Sequence, residues 1–419
     1  MKTLLILGGG TAGTMTANKL SRQLNPNEWR VIVADREPRH FYQPGFLFIP
    51  FGIYAPHDVV RPKRRLISKG VEVIFADIEQ ILPKANRVQI ADGQTIPYDI
   101  LVIATGCEIR PDQIEGLMNS GWRENVFDFY TLEGASALNR FLEGWQGGRL
   151  VLNVAEMPIK CPVAPLEFLF LADWYFRQHG MRNKVELVYA TPLSGAFTKP
   201  QASAALGELL EQKGIHMETD FNINEVDGAK QAIRSWDGRE LNYDLLVSIP
   251  TNMGAEFIEH SGTGDELNFV STDKNTLQSK GYPNVWVIGD AGNMPASKAG
   301  SVAHFMLDTL VENIERQIKG QSPEPSFDGH TNCFIETGFD RGVMIDFNYD
   351  VEPLRGQYPL PKLGPFSLLK ESLVNHIGKL SFKWIYWNIL LPGRPMPVSN
   401  QLSLTGKNKL NFQLRRKKE

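Results

Sequence analysis

The sequence predicts an α/β chain, with two Rossmann-like dinucleotide-binding domains in tandem and a C-terminal amphipathic membrane-associating segment. Three observations carry this expectation. The chain opens on "TLLILGGGTAGTMTANKLSRQL" and then "WRVIVAD", which reads as strand, glycine-rich turn, helix and strand. A second α/β unit spans about 148–270, with strands near 149–154 and 185–190 and a helix near 164–178. Finally, Phe366, Leu369, Leu373, Ile377, Leu380, Trp384, Trp387 and Leu391 recur at steps of three and four, one apolar and aromatic helical stripe.

Each element has its own justification. In the opening turn Gly8 permits the tight bend, Gly10 lets a pyrophosphate approach the backbone, and Gly13 lets helix pack on strand. Asp35, with Arg36 beside it, ends the second strand where a ribose hydroxyl is expected. "YDILVIATG" (98–106) is a buried strand ending in the small turn Ala104, Thr105, Gly106. "NVWVIGDAGN" (284–293) is another, ending at Gly289 and Asp290, with a helix expected from about Gly300 to Ile318. Domains are therefore expected at 1–110 with 270–320, at 111–269, and at 321–419. The first turn of the second unit, "NVAEMPIKCPVAP", has no glycine, adds the charge of Glu156, and loses N–H donors at Pro158, Pro162 and Pro165. A second pyrophosphate is hard to seat on such a turn.

Composition bounds the function. The 419 residues are enough for two or three domains, and a net charge of −3 argues against a nucleic-acid partner. Residues 394–419 nevertheless hold Arg394, Lys407, Lys409, Arg415, Arg416, Lys417 and Lys418 against Glu419, a basic tail suited to an anionic surface. The three cysteines, Cys107, Cys161 and Cys333, are too few and scattered for a disulfide scaffold or a zinc cluster, and no metal site is expected. Strand pattern begins at Thr3, so no cleaved signal peptide is read there, and no apolar run is long enough for a spanning helix.

The Gly8-x-Gly10-x-x-Gly13, ATG and Gly289-Asp290 motifs, in this order, resemble the two-dinucleotide-binding-domain flavoproteins of the disulfide reductase-like superfamily, which implies FAD in the first domain. A narrower resemblance lies in "CPVAPLEF" and "TNCFIETG", which look like the paired redox cysteines of the sulfide:quinone oxidoreductases. It implies Cys161 and Cys333 as the sulfur-carrying pair, bridged by disulfide or polysulfide, and Glu167 as a proton-handling acid. It also implies a membrane quinone beside Phe334, Lys379 and Phe382, the last two within "NHIGKLSF". "YQPGF" (42–46), with Pro44, resembles the loop over the flavin, and Lys298 and Gly300 resemble residues at its pyrimidine end. Such an enzyme takes sulfide and quinone as substrates, sits peripherally on the cell membrane, and is compatible with a homo-oligomer. Cys107 matches neither redox position and is read as ordinary packing. The chain lacks the third cysteine that many members carry in the region of "VFDFYTLEGASAL", so the flavin is expected to be noncovalent. The alternatives within the fold are a type II NADH:quinone dehydrogenase and the flavoprotein of a flavocytochrome c sulfide dehydrogenase. A chain cut near Leu363 is expected to leave the membrane while keeping its sulfide chemistry.

Overall fold

The computed structural model describes residues 1–360, 363–396 and 399–408. Two parallel five-stranded sheets form its frame. The first runs Val285–Val287, Ile100–Ile103, Lys2–Leu7, Trp29–Asp35, Glu72–Phe75 across the sheet. The second repeats that plan with Val126–Phe127, Leu245–Ile249, Gly148–Val154, Val185–Ala190, Ile215–Glu218. In both, the strand that leads into the first turn lies at the centre, and its continuous apolar run (Leu4 to Leu7, Leu150 to Leu152) is fully buried, as a sheet covered on both faces requires. Each sheet is followed by its own three-stranded antiparallel crossover, Ile78–Leu82, Arg87–Ile90 and Thr95–Pro97 in the first, Ile223–Asp227, Ala232–Ser235 and Glu240–Asn242 in the second.

The helices are α1 (Thr11–Gln23), α2 (Leu132–Gly144), α3 (Ala164–Gln178), α4 (Pro200–Gln212), α5 (Glu256–His260), α6 (Gly300–Ile318) and α7 (Leu373–Ile385). The spans expected for α3 and α6 coincide with those observed. Between α6 and α7 lies a four-stranded sheet, Thr331–Gly338, Arg341–Phe347, Gly364–Leu368 and Gly356–Leu360 in spatial order, and α7 packs on its first two strands.

The apolar stripe expected over 366–391 is corrected by this arrangement. Phe366 lies in a strand and Leu369 follows it, while α7 starts only at Leu373 and gives way to one turn of π-helix at Tyr386–Leu390. That change of pitch rotates the stripe. Leu373, Ile377, Leu380 and Trp384 stay exposed, but Tyr386, Trp387, Leu390 and Leu391 turn inward and are buried. The aromatic cluster is therefore split, with Trp384 outside and its two neighbours in the core. The basic tail is divided too. Lys407 is buried against Asp346 at 2.6 Å, and 409–419 lie outside the described residues.

The inward half straps the C-terminal segment to the first domain. Asn18 Nδ2 donates to Leu391 O at 2.7 Å, Arg22 donates to Pro392 O and Gly393 O, and Arg61 lies 4.2 Å from the Trp387 ring centroid. At the centre, the Tyr386 hydroxyl sits 2.7 Å from both Thr11 Oγ1 and His40 Nε2, and His40 Nδ1 is 3.2 Å from Gly9 O. Because Gly9 O can only accept, Nδ1 carries the proton, Nε2 accepts from Tyr386, and Tyr386 accepts from Thr11. The glycine turn and the C-terminal segment thus share one hydrogen-bond chain.

Burial, with the nearby Lys63 ammonium, lowers His40 to about 4 from the ordinary 6.5. Between these values the unfolded chain takes up a proton that the folded chain refuses, so stability present above pH 6.5 is lost as pH falls through the window. The melting temperature of the protein is expected to drop between pH 6.5 and 4, and His40→Gln, which keeps a donor and an acceptor but does not titrate, should flatten that part of the profile.

Candidate functional site

One large cavity lies where the two sheets and the C-terminal segment meet. Its walls come from the first glycine turn (Gly10, Thr11), the 43–47 loop with Pro44, the turn Ala104, Thr105, Gly106, and the stretch Gly289, Asp290, Lys298, Gly300. The three glycines divide their tasks as expected. A Cβ at Gly13 would lie 1.8 Å from Gly8 O and one at Gly8 would lie 2.6 Å from Ala104 O, whereas one at Gly10 would meet no atom within 4 Å. Gly10 is also the N-cap of α1, so open backbone and the positive end of the helix face the cavity together. Thr105 Oγ1 is buried there without a hydrogen-bond partner among the described residues. An elongated, phosphate-bearing dinucleotide fits this wall.

Asp35 and Arg36 lie outside the cavity lining. One Asp35 oxygen accepts from Gly9 N–H and pairs with buried Lys63 at 2.7 Å, which fixes the glycine turn, while Arg36 pairs with Glu108 at the surface. Lys298 is buried, donating from Nζ to Asp290 O (2.8 Å) and Gly292 O (2.9 Å), so it locks the loop after the Val285–Val287 strand.

The glycine-free turn of the second unit is put to a different use. Residues 155–163 fold across to the first domain, where Cys161 N–H donates to Lys298 O at 2.6 Å, while Lys160 N–H donates to Asn252 Oδ1 within the second unit. This places Cys161 in the cavity in a left-handed conformation, φ 48°. Such a backbone costs about 1–2 kcal/mol for a residue with a Cβ and is held by its surroundings. Here the carbonyl accepts from Ala164 N–H (2.8 Å) and the Tyr130 hydroxyl (3.3 Å). Cys333 reaches the same cavity from the Thr331–Gly338 strand, and its charge acts on Cys161. The two are free thiols, so the implied bridge is open in this structure. Burial raises both, Cys333 to about 11 and Cys161 further.

Cys107 corrects an expectation. Rather than packing in the core, it lines the cavity beside Asp290 and Lys298, and burial together with the Asp290 charge pushes its thiol up to about 12.

Glu167, on the first turn of α3, is wholly buried. Its Oε1 accepts from Lys379 Nζ at 2.6 Å and from Glu336 N–H at 2.7 Å, and its Oε2 has no partner among the described residues. Burial raises the carboxyl, with Lys379 and the Glu336 amide opposing. Burial works to lower Lys379, but Glu167 and the cysteine thiolates outweigh it, and its net shift is upward. Lys379 Nζ also donates to Phe334 O at 3.0 Å. Phe334 meets Phe366 edge-on at 5.0 Å between ring centroids, and Gly378 makes room for it, since a Cβ there would come within 2.8 Å of the Phe334 ring. Phe334, Lys379 and Phe382 all line the cavity, together with Tyr386. Tyr386, Thr11, Lys160, Tyr130 and Glu336 were not singled out from the sequence. Their only signals were closeness to motif residues and, for Tyr386, an aromatic cluster read as facing lipid.

The profile of the pyridine nucleotide-disulphide oxidoreductase family matches residues 2–151 and 171–304. The chain belongs to this family. The interval that the family profile skips carries Cys161 and Glu167, where this pyridine nucleotide-disulphide oxidoreductase departs from the shared pattern. Among curated relatives, the mitochondrial sulfide:quinone oxidoreductases of Mus musculus and Dictyostelium discoideum are each 28% identical over 397 residues, covering 93% of this chain and 86% of theirs. The type II NADH:quinone oxidoreductase of Staphylococcus aureus is 24% identical over 379 residues, 82% of this chain and 90% of its own. The crystal structure of the sulfide:quinone oxidoreductase from Aquifex aeolicus superposes with a TM-score of 0.79 at 20% identity, covering 94% of this chain and 92% of that one.

Removing one partner of a buried ion pair strands the other charge, at about 3–5 kcal/mol. Lys379→Met is therefore expected to lower the melting temperature clearly, and Glu167→Gln added to it should restore most of the loss.

Proposed function

We propose that this protein is a sulfide:quinone oxidoreductase. The observation that carries the reading is the diverted turn at 155–163, which spends the second nucleotide site on delivering Cys161 into the cavity that Cys333 also lines. We take FAD as the cofactor, held by Gly8, Gly10 and Gly13, by Ala104, Thr105 and Gly106, and by Gly289 and Asp290, with Pro44, Lys298 and Gly300 toward its ring end. When bound it supplies a two-electron store between the cysteines and the quinone.

The residues of the chain do the rest. With the pair oxidised, hydrosulfide attacks one sulfur, a new S–S bond forms as the old one breaks, and a persulfide remains on one cysteine with a thiolate on the other. Since burial disfavours a lone thiolate, the Lys379 ammonium beside both cysteines lowers the cost of that charge. The unpartnered Oε2 of Glu167 is the atom free to hold the proton that hydrosulfide gives up. On the side of Phe334 and Phe382 the rings offer a stacking surface for quinone, with Lys379 placed to donate to a carbonyl oxygen.

The membrane reading rests on the outward face of α7. Leu373, Ile377, Leu380 and Trp384 are exposed, the last two flanking the cavity residues Lys379 and Phe382 on the same helix, and Leu360 and Leu363 are exposed on the neighbouring hairpin. A helix of this kind lies in the interface, and no helix among the described residues is long and apolar enough to cross a membrane. The expectation for a chain cut near Leu363 changes accordingly. The cut removes Lys379, Phe382 and Tyr386 from the cavity wall, so such a chain should lose its flavin as well as its membrane contact.

The competing NADH reading is opposed by Glu156 and by the absence of glycine in the turn that would cradle a second pyrophosphate. An anaerobic titration separates the two. Sulfide should bleach the flavin, a soluble quinone should restore it, and NADH should do neither; bleaching by NADH would overturn the assignment. Cys161→Ser and Cys333→Ser should each lower sulfide-driven turnover by about a hundredfold or more while flavin stays bound. Cys107→Ala should stay within about threefold, because Cys107 lies beside Asp290 and Lys298 and takes no part in the Cys161–Cys333 pair.

A further inference from the structure

Oxidising hydrosulfide with a quinone does not balance in protons within the site. In HS⁻ + Q + H⁺ → S⁰ + QH₂, with the sulfur kept as sulfane sulfur on the cysteines, two electrons pass from sulfur to quinone. Hydrosulfide brings one of the two protons that the quinol needs. The other must enter from solvent at every turnover. The groups nearest the reacting centre, Glu167 and Lys379, are enclosed, the first wholly buried and the second with only 12% of its side chain exposed. A route outward is therefore required.

The Thr331–Gly338 strand and α7 supply one. Along the strand, Phe334 and Glu336 share the face opposite Cys333, and both meet α7. Glu336 is buried, and its backbone N–H holds Glu167 Oε1. Its two carboxylate oxygens lie 3.0 and 2.9 Å from His376 Nδ1. His376 stands one turn before Lys379, so the two side chains project from neighbouring positions on one side of α7. The other imidazole nitrogen, Nε2, lies 3.7 Å from Asp340 Oδ1, and the Asp340 side chain is 82% exposed. The carboxyl of Glu336 is electrostatically coupled to Glu167 and to Lys379. From solvent inward, Asp340, His376 and Glu336 are joined by contacts of 3.7, 3.0 and 2.9 Å, and the Glu336 carboxyl is coupled electrostatically to Lys379 and Glu167.

We propose that Glu336 and His376 are the proton inlet for quinone reduction, passing protons from the surface at Asp340 to the Lys379–Glu167 pair. This rests on the sulfide:quinone reading above. His376 takes a proton from solvent on Nε2 and gives the Nδ1 proton to Glu336, which passes it inward to replace the one that Lys379 donates to the quinone oxygen. Rotation of the ring, or loss of the Nε2 proton to Nδ1 through water, resets the relay. One proton enters for each quinol made, and no charge accumulates. Within the chain the groups that act on this pair are Asp340, Lys379, Glu167 and, from the end of α4, Lys213, which itself feels Glu371, Asp173 and Arg177. Glu336 and His376 act through Lys379 and do not touch the quinone, so they are positioning and relay residues.

The test separates the two half-reactions in the flavin-loaded, full-length protein. Flavin reduced by sulfide is mixed with a soluble quinone in a stopped-flow instrument and its reoxidation followed across pH, in H₂O and in D₂O. Glu336→Gln and His376→Asn should slow reoxidation by about a hundredfold and change its pH profile, while the rate of bleaching by sulfide and the quinone KM stay within about twofold. Added imidazole should restore part of the rate to His376→Ala, since the ring it replaces is partly open to solvent. If a Glu336 variant does not hold flavin, the His376 variants and imidazole rescue carry the test alone. Equal slowing of both half-reactions, or a lost rate that imidazole does not restore, would assign the pair a purely structural role and overturn the inlet; so would unchanged reoxidation. Photochemical reduction of the flavin gives the same reoxidation readout without sulfide. A protein that fails to bleach with sulfide but shows the variant effect after photoreduction therefore refutes the substrate reading and not the inlet.

Discussion

The ion pair between Glu167 and Lys379 is the contact on which the arrangement of the site depends. It joins α3 of the second unit to α7 of the C-terminal segment across the cavity, and the Glu336 amide ties the intervening strand to the same oxygen. A pair so enclosed is weak evidence for stability, because the desolvation of two charges offsets most of their attraction. Its value is geometric. Neither charge tolerates the absence of the other, so the three pieces of chain close in one relative position only. That position brings Cys161 and Cys333 to one cavity, and sets a cation beside both thiols and beside the rings of Phe334 and Phe382.

The two sheets order four of their five strands alike and each carries an antiparallel crossover, yet their first turns diverge. In the first unit, glycines keep the turn tight and leave backbone donors open at the start of α1. In the second, prolines and a left-handed cysteine carry the chain away from the helix start and toward Lys298. The same topological position thus leaves open backbone at a helix start once and forms an arm for a thiol the second time. The skipped interval in the family match, 152–170, coincides with that arm.

A second coupling runs through Tyr386. Because its hydroxyl joins Thr11 and His40, the C-terminal segment rests on the turn that faces the phosphate-binding wall. The quinone side and the dinucleotide side of the cavity therefore share a wall, and the exposed face of α7 is the reverse of a helix whose other residues close the site. Membrane contact, quinone access and cofactor retention are read here as properties of one segment.

Much of this was legible in the sequence, for a physical reason. Backbone conformations that only glycine adopts, apolar runs that only a covered sheet can bury, and a turn stripped of glycine and donors are local facts, and they foretold both α/β units and the spans of α3 and α6. What the sequence did not disclose depends on contacts between distant segments. The 3.6-residue stripe through 366–391 took no account of the strand at Phe366 or the π-turn at Tyr386, which send Trp384 outward and Trp387 into the core. Cys107 was read as packing because it matches neither redox position, although it directly follows the 104–106 turn that lines the cavity. Lys407 was counted with a solvated tail although it pairs with Asp346, sixty-one residues earlier and wholly buried. Periodicity reports which residues share a face. Only the tertiary structure decides what that face meets, because burial and charge pairing depend on the chain that arrives from elsewhere.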